Sequence, residues 1–399
     1  MLGPGFCATL LRVPITLFPG IPRFGRSEVR RGLFAGVSLA SMDIPQVLGY
    51  ARIAGMPLVT GLYTLLLPLV AFALFGSSRQ MVVAADSATA AIFASSLSQM
   101  AAPGSPKYMA LVGAVALVTA GLLLLARIFR LGFIADFLSR TVLAGFLAGV
   151  GIQVAVAVLG ELLGVPVTAH GVVGQLREVA QRHSDIHPPT VAVASVVVLL
   201  IVGCKRWAPR LPAPLLIVVA GIAASYAFDF SRQGIAVIGA LQGGLPALSL
   251  PWITLRELVE IVPVAVSCFV VIIAQSAATS RAYAARHGDH VDEDADIVGL
   301  AAANAAAAVT GAFVVNGSLT QTAMADRAGA RSQLAQLFAA ATVAVVLLFL
   351  TGPLQHLPRA VLAGLVFTIA LASTTSQRSF DGARRTSTVI SLAKCSALA

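Results

Sequence analysis

The sequence predicts an all-α polytopic membrane protein. Hydrophobic residues make up 58% of the 399 residues, charged residues make up only 11%, and the mean hydropathy is +0.89. A soluble domain carries about 25% charged residues, so this chain has too little polar surface for a soluble fold. Its net charge of +10 does not indicate a nucleic-acid partner, because the basic residues gather in short loops between apolar segments. No motif supports an enzyme.

A polar break interrupts the apolar segment of residues 76–97. The apolar run stops at Asp86-Ser87 and then resumes to about Leu97. Asp and Ser are good helix N-caps, and they are costly inside a membrane unless they face a partner or a cavity. We therefore predict an extended piece followed by a half-helix that begins near Asp86. The alternative is a Ser- and Thr-rich helix that packs closely on its neighbours.

The same design recurs in residues 310–324. An extended apolar run reaches Asn316-Gly317, and a short helix then opens with Ser318 and Thr320. Two matched interruptions in corresponding halves of a chain point to the binding site of a secondary transporter. If the two helix N-termini face each other, their dipoles converge and favour an anion.

Apolar segments predict about twelve spans, two of which are the broken segments. Polar connections over about 161–189 and 229–255 separate some of them. In chain order the spans are about 32–54 (broken by Pro45), 57–75, the first broken segment, 108–129, 133–159, 190–207, 214–228, 258–284, 297–308, the second broken segment, 334–350 and 358–372.

Basic residues predict the orientation of these spans. With residues 1–28 as a cytoplasmic tail, most Lys and Arg fall in cytoplasmic loops. They include Arg79, Arg127, Arg130, Arg140, Lys205, Arg206, Arg210, Arg281, Arg286, Arg327 and Arg331. Seven spans in the first half then place the second half upside down, as an inverted repeat requires. Residues 373–399 form a polar, basic tail.

Two pairs of polar side chains lie one helical turn apart within predicted spans. Gln46 and Tyr50 share a face of the first span, and a neutral amide can donate to an anion without adding charge. Gln275 and Thr279 share a face of the eighth span, where they could complete a pocket or hold a coupling cation. In both cases the alternative is a hydrogen bond between packed helices.

No cofactor is expected. The polar run at residues 287–296 has a His and carboxylate content that could suit a metal, but we interpret it as a cytoplasmic loop whose acids cap the ninth span. The cysteines are scattered and form no C-x-x-C pair, so neither a disulfide framework nor a zinc site is indicated. They are Cys7, Cys204, Cys268 and Cys395.

Several motifs resemble the SulP (sulfate permease) anion transporters, the SLC26 group in animals. The opening signature is Asp43-Ile44-Pro45-Gln46-Val47-Leu48-Gly49-Tyr50-Ala51, and the resemblance covers about residues 29–372. Further matching pieces are residues 54–57, 61–63, 76–79, 131–133, 137–139, 142–146, 299–300, Asn304, Gly311, Ser318 and 329–331.

The resemblance implies a seven-plus-seven inverted repeat, with the anion between the third-span and tenth-span half-helices. A core (about 29–130 and 257–352) would move against a gate (about 131–230 and 353–372). By position, the resemblance and the broken segments together give a set of candidate substrate-binding residues. They are Gln46, Tyr50, Ala85, Asp86, Ser87, Ala88, Gln275, Thr279, Asn316, Gly317, Ser318 and Leu319.

This chain departs from the family pattern in three respects. Gln275 stands at a position that is often acidic and serves ion coupling in bacterial members, with Thr279 at a second coupling position. Gln321 stands where many members have Arg, and we expect Asp86 to act as a helix cap. No thirteenth or fourteenth span and no STAS domain follows, so the expected fold is C-terminally truncated to about twelve spans.

The expected function is secondary transport of a small anion by elevator-like alternating access in the cell membrane. Sulfate comes first, followed by bicarbonate, chloride and dicarboxylates, with a proton or sodium as coupling ion and a homodimer by resemblance. One rival is a transporter of a nucleobase-like solute on the same architecture, which the missing Arg favours. The other is a non-transporting, truncated membrane protein.

Overall fold

The structure is a computed structural model that describes residues 17–21, 25–129, 149, 151–152, 154–167, 169, 172–207, 213–239, 243–368 and 371. Most of the predicted fifth span, the motif residues 131–146 and most of both predicted tails lie outside this part of the chain.

Helices dominate the described residues, and two three-residue strands interrupt them. In chain order the elements are α1 (Arg26–Ile53), α2 (Leu58–Thr64), α3 (Leu67–Phe75), β1 (Val83–Ala85), α4 (Ser87–Leu97), α5 (Pro106–Ile128), α6 (Leu159–Leu163), α7 (Val172–Gln181), a 3-10 turn (His183–Asp185), α8 (Pro188–Trp207), α9 (Ala213–Phe228), α10 (Leu255–His287), α11 (Glu293–Val309), β2 (Val315–Gly317), α12 (Leu319–Arg327), α13 (Leu334–Phe349), α14 (Thr351–Leu354) and α15 (Arg359–Thr368).

Three helical segments of the described residues are long and apolar enough to cross a bilayer by length and composition: Leu58–Phe75, Pro106–Ile128 and Leu255–His287. The first contains both α2 and α3, so the predicted second span is divided near residues 65–66. Pro68 lies in the first turn of α3, where a missing N–H leaves no helical hydrogen bond unmade. Shorter apolar helices account for most of the other predicted spans.

Helices of the first half pack directly on helices of the second half. α1 lies along α13, α5 lies along α10 and α11, and α3 contacts α11. Small residues allow this close approach: a Cβ added to Gly36 would lie 2.6 Å from the Ala335 carbonyl oxygen. On α11, a Cβ at Gly299 would lie 2.8 Å from the backbone nitrogen of Gly76. The two halves therefore share one interior.

The predicted break of the first span at Pro45 is wrong. α1 runs without interruption from Arg26 to Ile53, with Pro45 buried inside it. A proline inside a helix costs about 3 kcal/mol, because its ring removes a donor and crowds the preceding turn. Contacts of α1 with α2, α12 and α13 hold the helix together despite that cost. Gln46 and Tyr50 therefore stand on a regular helix.

The predicted capping role of the polar run is confirmed. The Asp292 side chain accepts a hydrogen bond from the backbone N–H of Asp294 and caps α11. One turn on, the buried Asp296 carboxylate accepts from the backbone N–H groups of residues 77–78 and from the Ser280 hydroxyl. These bonds join the start of α11 to the segment that leads into β1.

Candidate functional site

The two broken segments meet as a pair of antiparallel strands. In this ladder Val83 pairs with Gly317, Ala84 with Asn316 and Ala85 with Val315. Each strand leads directly into a short helix, α4 or α12. The helices therefore start at opposite ends of the ladder, on the order of 13 Å apart for a rise of about 3.3 Å per residue.

The first half-helix begins where the sequence predicts. Asp86 has an extended backbone, and its carboxylate accepts a hydrogen bond of 3.1 Å from the Ala88 N–H. Ala85 ends β1 and is buried, as is Ala88, while Ser87 is half-buried at the first position of α4. The expectation that Asp86 acts as a helix cap is confirmed.

The second half-helix is capped by a neutral hydroxyl. Ser318 Oγ accepts from the Gln321 N–H at 3.4 Å, and the Ser318 N–H donates to the Val82 carbonyl at 2.9 Å. The Thr322 hydroxyl donates to the Ser318 carbonyl at 2.6 Å. Leu319, the first residue of α12, keeps 49% of its surface exposed. The start of this helix is therefore accessible, whereas its cap is buried.

Gln275 and Thr279 face β2 from α10. Asn316 Nδ2 donates to Gln275 Oε1, and the Thr279 hydroxyl donates to the Gly317 carbonyl at 3.4 Å. Between them, Ser276 Oγ accepts from the Gly317 N–H at 2.9 Å. The Gln275 side-chain nitrogen is buried and has no hydrogen-bond partner among the described residues. This amide can therefore donate to a guest.

Gln46 and Tyr50 lie against the second half-helix. The Tyr50 hydroxyl donates to Gln46 Oε1 at 3.3 Å, and Gln46 Nε2 contacts Met324 Sδ at 3.4 Å. Both side chains are almost fully buried. Since Met324 belongs to α12, the structure brings this pair from the first span to the same region as Gln275 and Ser318.

Three side-chain amides hydrogen-bond to the backbone of the ladder, a role that the sequence did not predict for them. Gln321 Nε2 donates to the Ala85 carbonyl at 3.2 Å, and Gln336 Oε1 accepts from the Val83 N–H at 3.3 Å. Asn304 binds both backbone groups of Val315: Nδ2 donates to its carbonyl at 3.0 Å, and Oδ1 accepts from its N–H at 3.1 Å. Asn304 and Gln336 lie in apolar helices, where an amide is costly unless it has a partner, and that cost is the signal that marks these two. Gln321 lies in the more polar α12 and carries no such signal.

The described site offers both donors and acceptors. The donors are the unpartnered Gln275 amide nitrogen, nearby hydroxyls and the free N–H groups at the starts of α4 and α12, and the unpartnered acceptors are the side-chain oxygens of Asn316 and Gln321. Among the described residues, no basic side chain forms a hydrogen bond with β1, β2 or the two caps, and Asp86 is the carboxyl at this site. Such a site suits a small solute that accepts hydrogen bonds, anionic or neutral.

A cavity of about 160 Å³, which no sequence pattern predicts, lies near the end of α1. Arg52 and Glu161 line it and form a salt bridge, and Gln175 lines it too. Burial raises the pKa of the Glu161 carboxyl, whereas the charges of Arg52 and Arg359 oppose that shift. The pair joins the first span to α6.

Solved structures share this fold. The structure of SLC26A9 superposes with a TM-score of 0.85 over 92% of this chain and 62% of that chain, at 22% identity. The transmembrane domain of a cyanobacterium bicarbonate transporter, BicA, superposes with a TM-score of 0.80 over 88% of this chain and 91% of that domain, at 23% identity. The chain therefore has the polytopic helical membrane fold of these transporters.

Curated relatives are similar to this chain over most of its length. A probable sulfate transporter of Mycobacterium tuberculosis is 35% identical over 88% of this chain, and probable sulfate transporter 3.3 of Arabidopsis thaliana is 29% identical over 91%. The chain spans 64% and 60% of the lengths of these relatives. The model of the sulfate permease family matches residues 29–389, most of the sequence. The chain is therefore a member of the sulfate permease family, a family of transporters and not of enzymes.

Proposed function

We propose that this chain is a secondary active transporter of small anions, with sulfate as the first candidate substrate. Bicarbonate, chloride and dicarboxylates follow. The proposal draws on the family, on the probable sulfate transporters among its relatives and on one feature of the site, the pairing of two half-helices that begin on the same short ladder. Helix N-termini attract anions through free N–H groups and the positive end of the dipole.

In this proposal the anion lies between the starts of α4 and α12. Backbone N–H groups of the first turns, the hydroxyls of Ser87 and Ser318, and the amides of Gln46 and Gln275 donate to its oxygens. Neutral donors hold a dianion without trapping it, because no fixed positive charge must be separated from it on release. Ala85, Ala88, Gly317 and Leu319 bring backbone close to the guest.

Transport would follow from an elevator-like motion of the core (about 29–130 and 257–352) against the gate (about 131–230 and 353–372). The β1–β2 ladder would carry both half-helices as one body. The salt bridge between Arg52 and Glu161 joins the proposed core to the proposed gate, so this motion would break it in each cycle. We place the protein in the cell membrane with its N-terminus in the cytoplasm, as a homodimer.

Uptake of radiolabelled sulfate into proteoliposomes tests the proposal, with unlabelled anions as competitors. Ser318→Trp should abolish uptake, because the indole would fill the space before the buried cap of α12. Ser95→Trp is the matched control, since Ser95 is exposed on α4 and bonds only within its own helix. Circular dichroism and gel filtration of each variant confirm that it is folded. Folded wild-type protein that takes up none of the anions would refute the proposal.

A neutral or weakly acidic solute such as a nucleobase is the second candidate. The observation that favours it is the absence of a basic side chain from the described contacts of the two caps. The same proteoliposomes are supplied with radiolabelled uracil. Uracil uptake that sulfate does not inhibit would support this candidate over the anion.

A further inference from the structure

Asp43 is a buried carboxyl with no structural partner in the described part of the chain. It lies in α1 with 1% of its surface exposed, and neither carboxylate oxygen has a hydrogen-bond partner among the described residues. Three other carboxyls of the described residues have partners. Asp86 caps α4, Asp296 accepts several hydrogen bonds, and Asp326 pairs with Arg286 and Arg331.

Asp43 stands on the site-facing side of α1. It precedes Gln46 by three residues and Tyr50 by seven, so the three side chains share one face of the helix. Through Gln46, this face reaches Met324 on α12. The carboxyl is thus about one turn from side chains of the proposed anion site.

An ionised carboxylate without a hydrogen bond or a counter-charge is very costly in an apolar interior, so such a group binds a proton instead. Within a membrane, a buried ionisable residue marks a functional site by default. A metal cation is a poor fit to Asp43, because hard cations require several oxygen ligands. The described residues contain no group of three or more His, Cys, Asp or Glu side chains placed to hold a metal ion.

Few other titratable groups come from the elements packed against α1, and α13 contributes none. Asp326 is already held by its ion pairs, and the Tyr50 hydroxyl is bonded to Gln46. The groups on the neighbouring elements are Tyr63 on α2, Asp86 at the cap of α4, Glu161 on α6, Asp326 and Arg327 on α12, Tyr226 on α9 and Arg359 on α15, while α1 itself carries Arg26, Glu28, Arg30, Arg31, Arg52 and Tyr50.

We propose that Asp43 is the proton-binding site that couples proton movement to anion transport in this chain, a step that rests on the proposed function. On the acidic side of the membrane a proton bonds to a carboxylate oxygen while the anion occupies the neighbouring site. After the site has changed sides, the O–H bond breaks, and the proton and the anion both leave. Because each anion enters together with a proton that moves down its own gradient, a proton gradient drives accumulation of the anion.

Two assays on the full chain in proteoliposomes separate coupling from binding. The first measures sulfate–sulfate exchange at equal pH on both sides, and the second measures net uptake driven by an inward proton gradient, with a trapped pH dye to follow protons. The wild type should show exchange, stimulation by the gradient and acidification with each uptake. Asp43→Asn, which mimics the protonated carboxyl, should keep exchange but lose both the stimulation and the acidification. Asp43→Glu should restore them.

Each failure has a separate meaning. Absence of both exchange and uptake in the folded wild type would overturn the proposed function itself. Three outcomes would overturn the coupling proposal but not the proposed function. They are exchange without any proton effect in the wild type, full stimulation of Asp43→Asn uptake by the proton gradient, and uptake driven by a sodium gradient instead. If Asp43→Asn does not fold, dicyclohexylcarbodiimide labelling of the wild type decides. Labelling at Asp43 that decreases as the pH rises supports the proposal, and an unlabelled Asp43 at acidic pH contradicts it.

Discussion

The two broken segments have similar backbones but draw their support from different places. β2 is held by side chains of its own half: Asn304 binds Val315, and Ser276 binds Gly317. β1 and the two residues before it are held by side chains of the other half. Thr322 Oγ1 accepts from the Val82 N–H at 3.0 Å, and Gln336 Oε1 accepts from the Val83 N–H. Gln336 Nε2 donates to the Met81 carbonyl, and Gln321 Nε2 donates to the Ala85 carbonyl.

The two halves of the chain therefore contribute different groups to the ladder. The second half supplies the hydrogen-bonding side chains that the described structure gives to both strands, whereas the first half supplies β1 itself, which consists of buried Val83, Ala84 and Ala85. The capping groups also differ: α4 is capped by the Asp86 carboxylate and α12 by the Ser318 hydroxyl. One end of the ladder therefore carries a potential negative charge and the other carries none.

The largest effect is expected from closing the space at the ladder. A Cβ added to Gly317 would lie 2.5 Å from Met81 Sδ and 3.0 Å from Ser276 Cα, so Gly317→Leu should abolish folding and uptake. Gel filtration in detergent measures the folded fraction. Gly121→Leu on α5 is the control, because a Cβ there meets nothing within 4 Å. Normal behaviour of Gly317→Leu would refute the described ladder.

Removing the side-chain amide of Asn304 should remove hydrogen bonds from β2 and leave those of β1 intact. Asn304→Leu leaves the buried N–H and carbonyl of Val315 without their side-chain partner, which should lower the free energy of unfolding by about 2–4 kcal/mol. Steric-trap or thermal unfolding in detergent measures the change. Thr342→Val is the control, since the Thr342 hydroxyl bonds only to Phe338 in its own helix. Equal losses in both variants would contradict the role assigned to Asn304.

A carboxylate at the second cap should remove the difference between the ends of the ladder. Asp caps helices as well as Ser does, so Ser318→Asp keeps α12 but adds a negative charge where the anion is proposed to bind. Repulsion should weaken sulfate binding by roughly a hundredfold, about 3 kcal/mol. Competition uptake measures the apparent affinity. An unchanged affinity would place the anion elsewhere.

Removing the carboxylate from the first cap should have the opposite and smaller effect. Asn is also a good N-cap, so Asp86→Asn preserves α4 and removes a negative charge. Sulfate affinity should rise by roughly tenfold, about 1.4 kcal/mol, as the repulsion disappears. The double variant Asp86→Asn with Ser318→Asp moves the charge to the other end and tests whether the two ends are equivalent. A fall in affinity in Asp86→Asn would show that this cap does more than repel.

Local chemistry made much of the site predictable. Asp86 and Ser318 are strong N-caps set in apolar runs, and each half-helix begins within one residue of the predicted position. The break at Pro45 was predicted wrongly, because the local preference of proline was outweighed by packing on distant helices. The roles of Asn304 and Gln336 could not be read from the sequence. Each depends on which remote strand comes to lie beside it.

The ladder also constrains how the gene can change. Its register pairs Ala84 with Asn316, residues encoded far apart, and side chains alternate between faces along each strand. Loss or gain of one codon in either strand would turn every following side chain to the wrong face and move one cap away from the other. Length variation can accumulate in a connection such as residues 229–254, but within the strands it survives only if both repeats change together. We therefore expect the lengths of these two strands to be retained together.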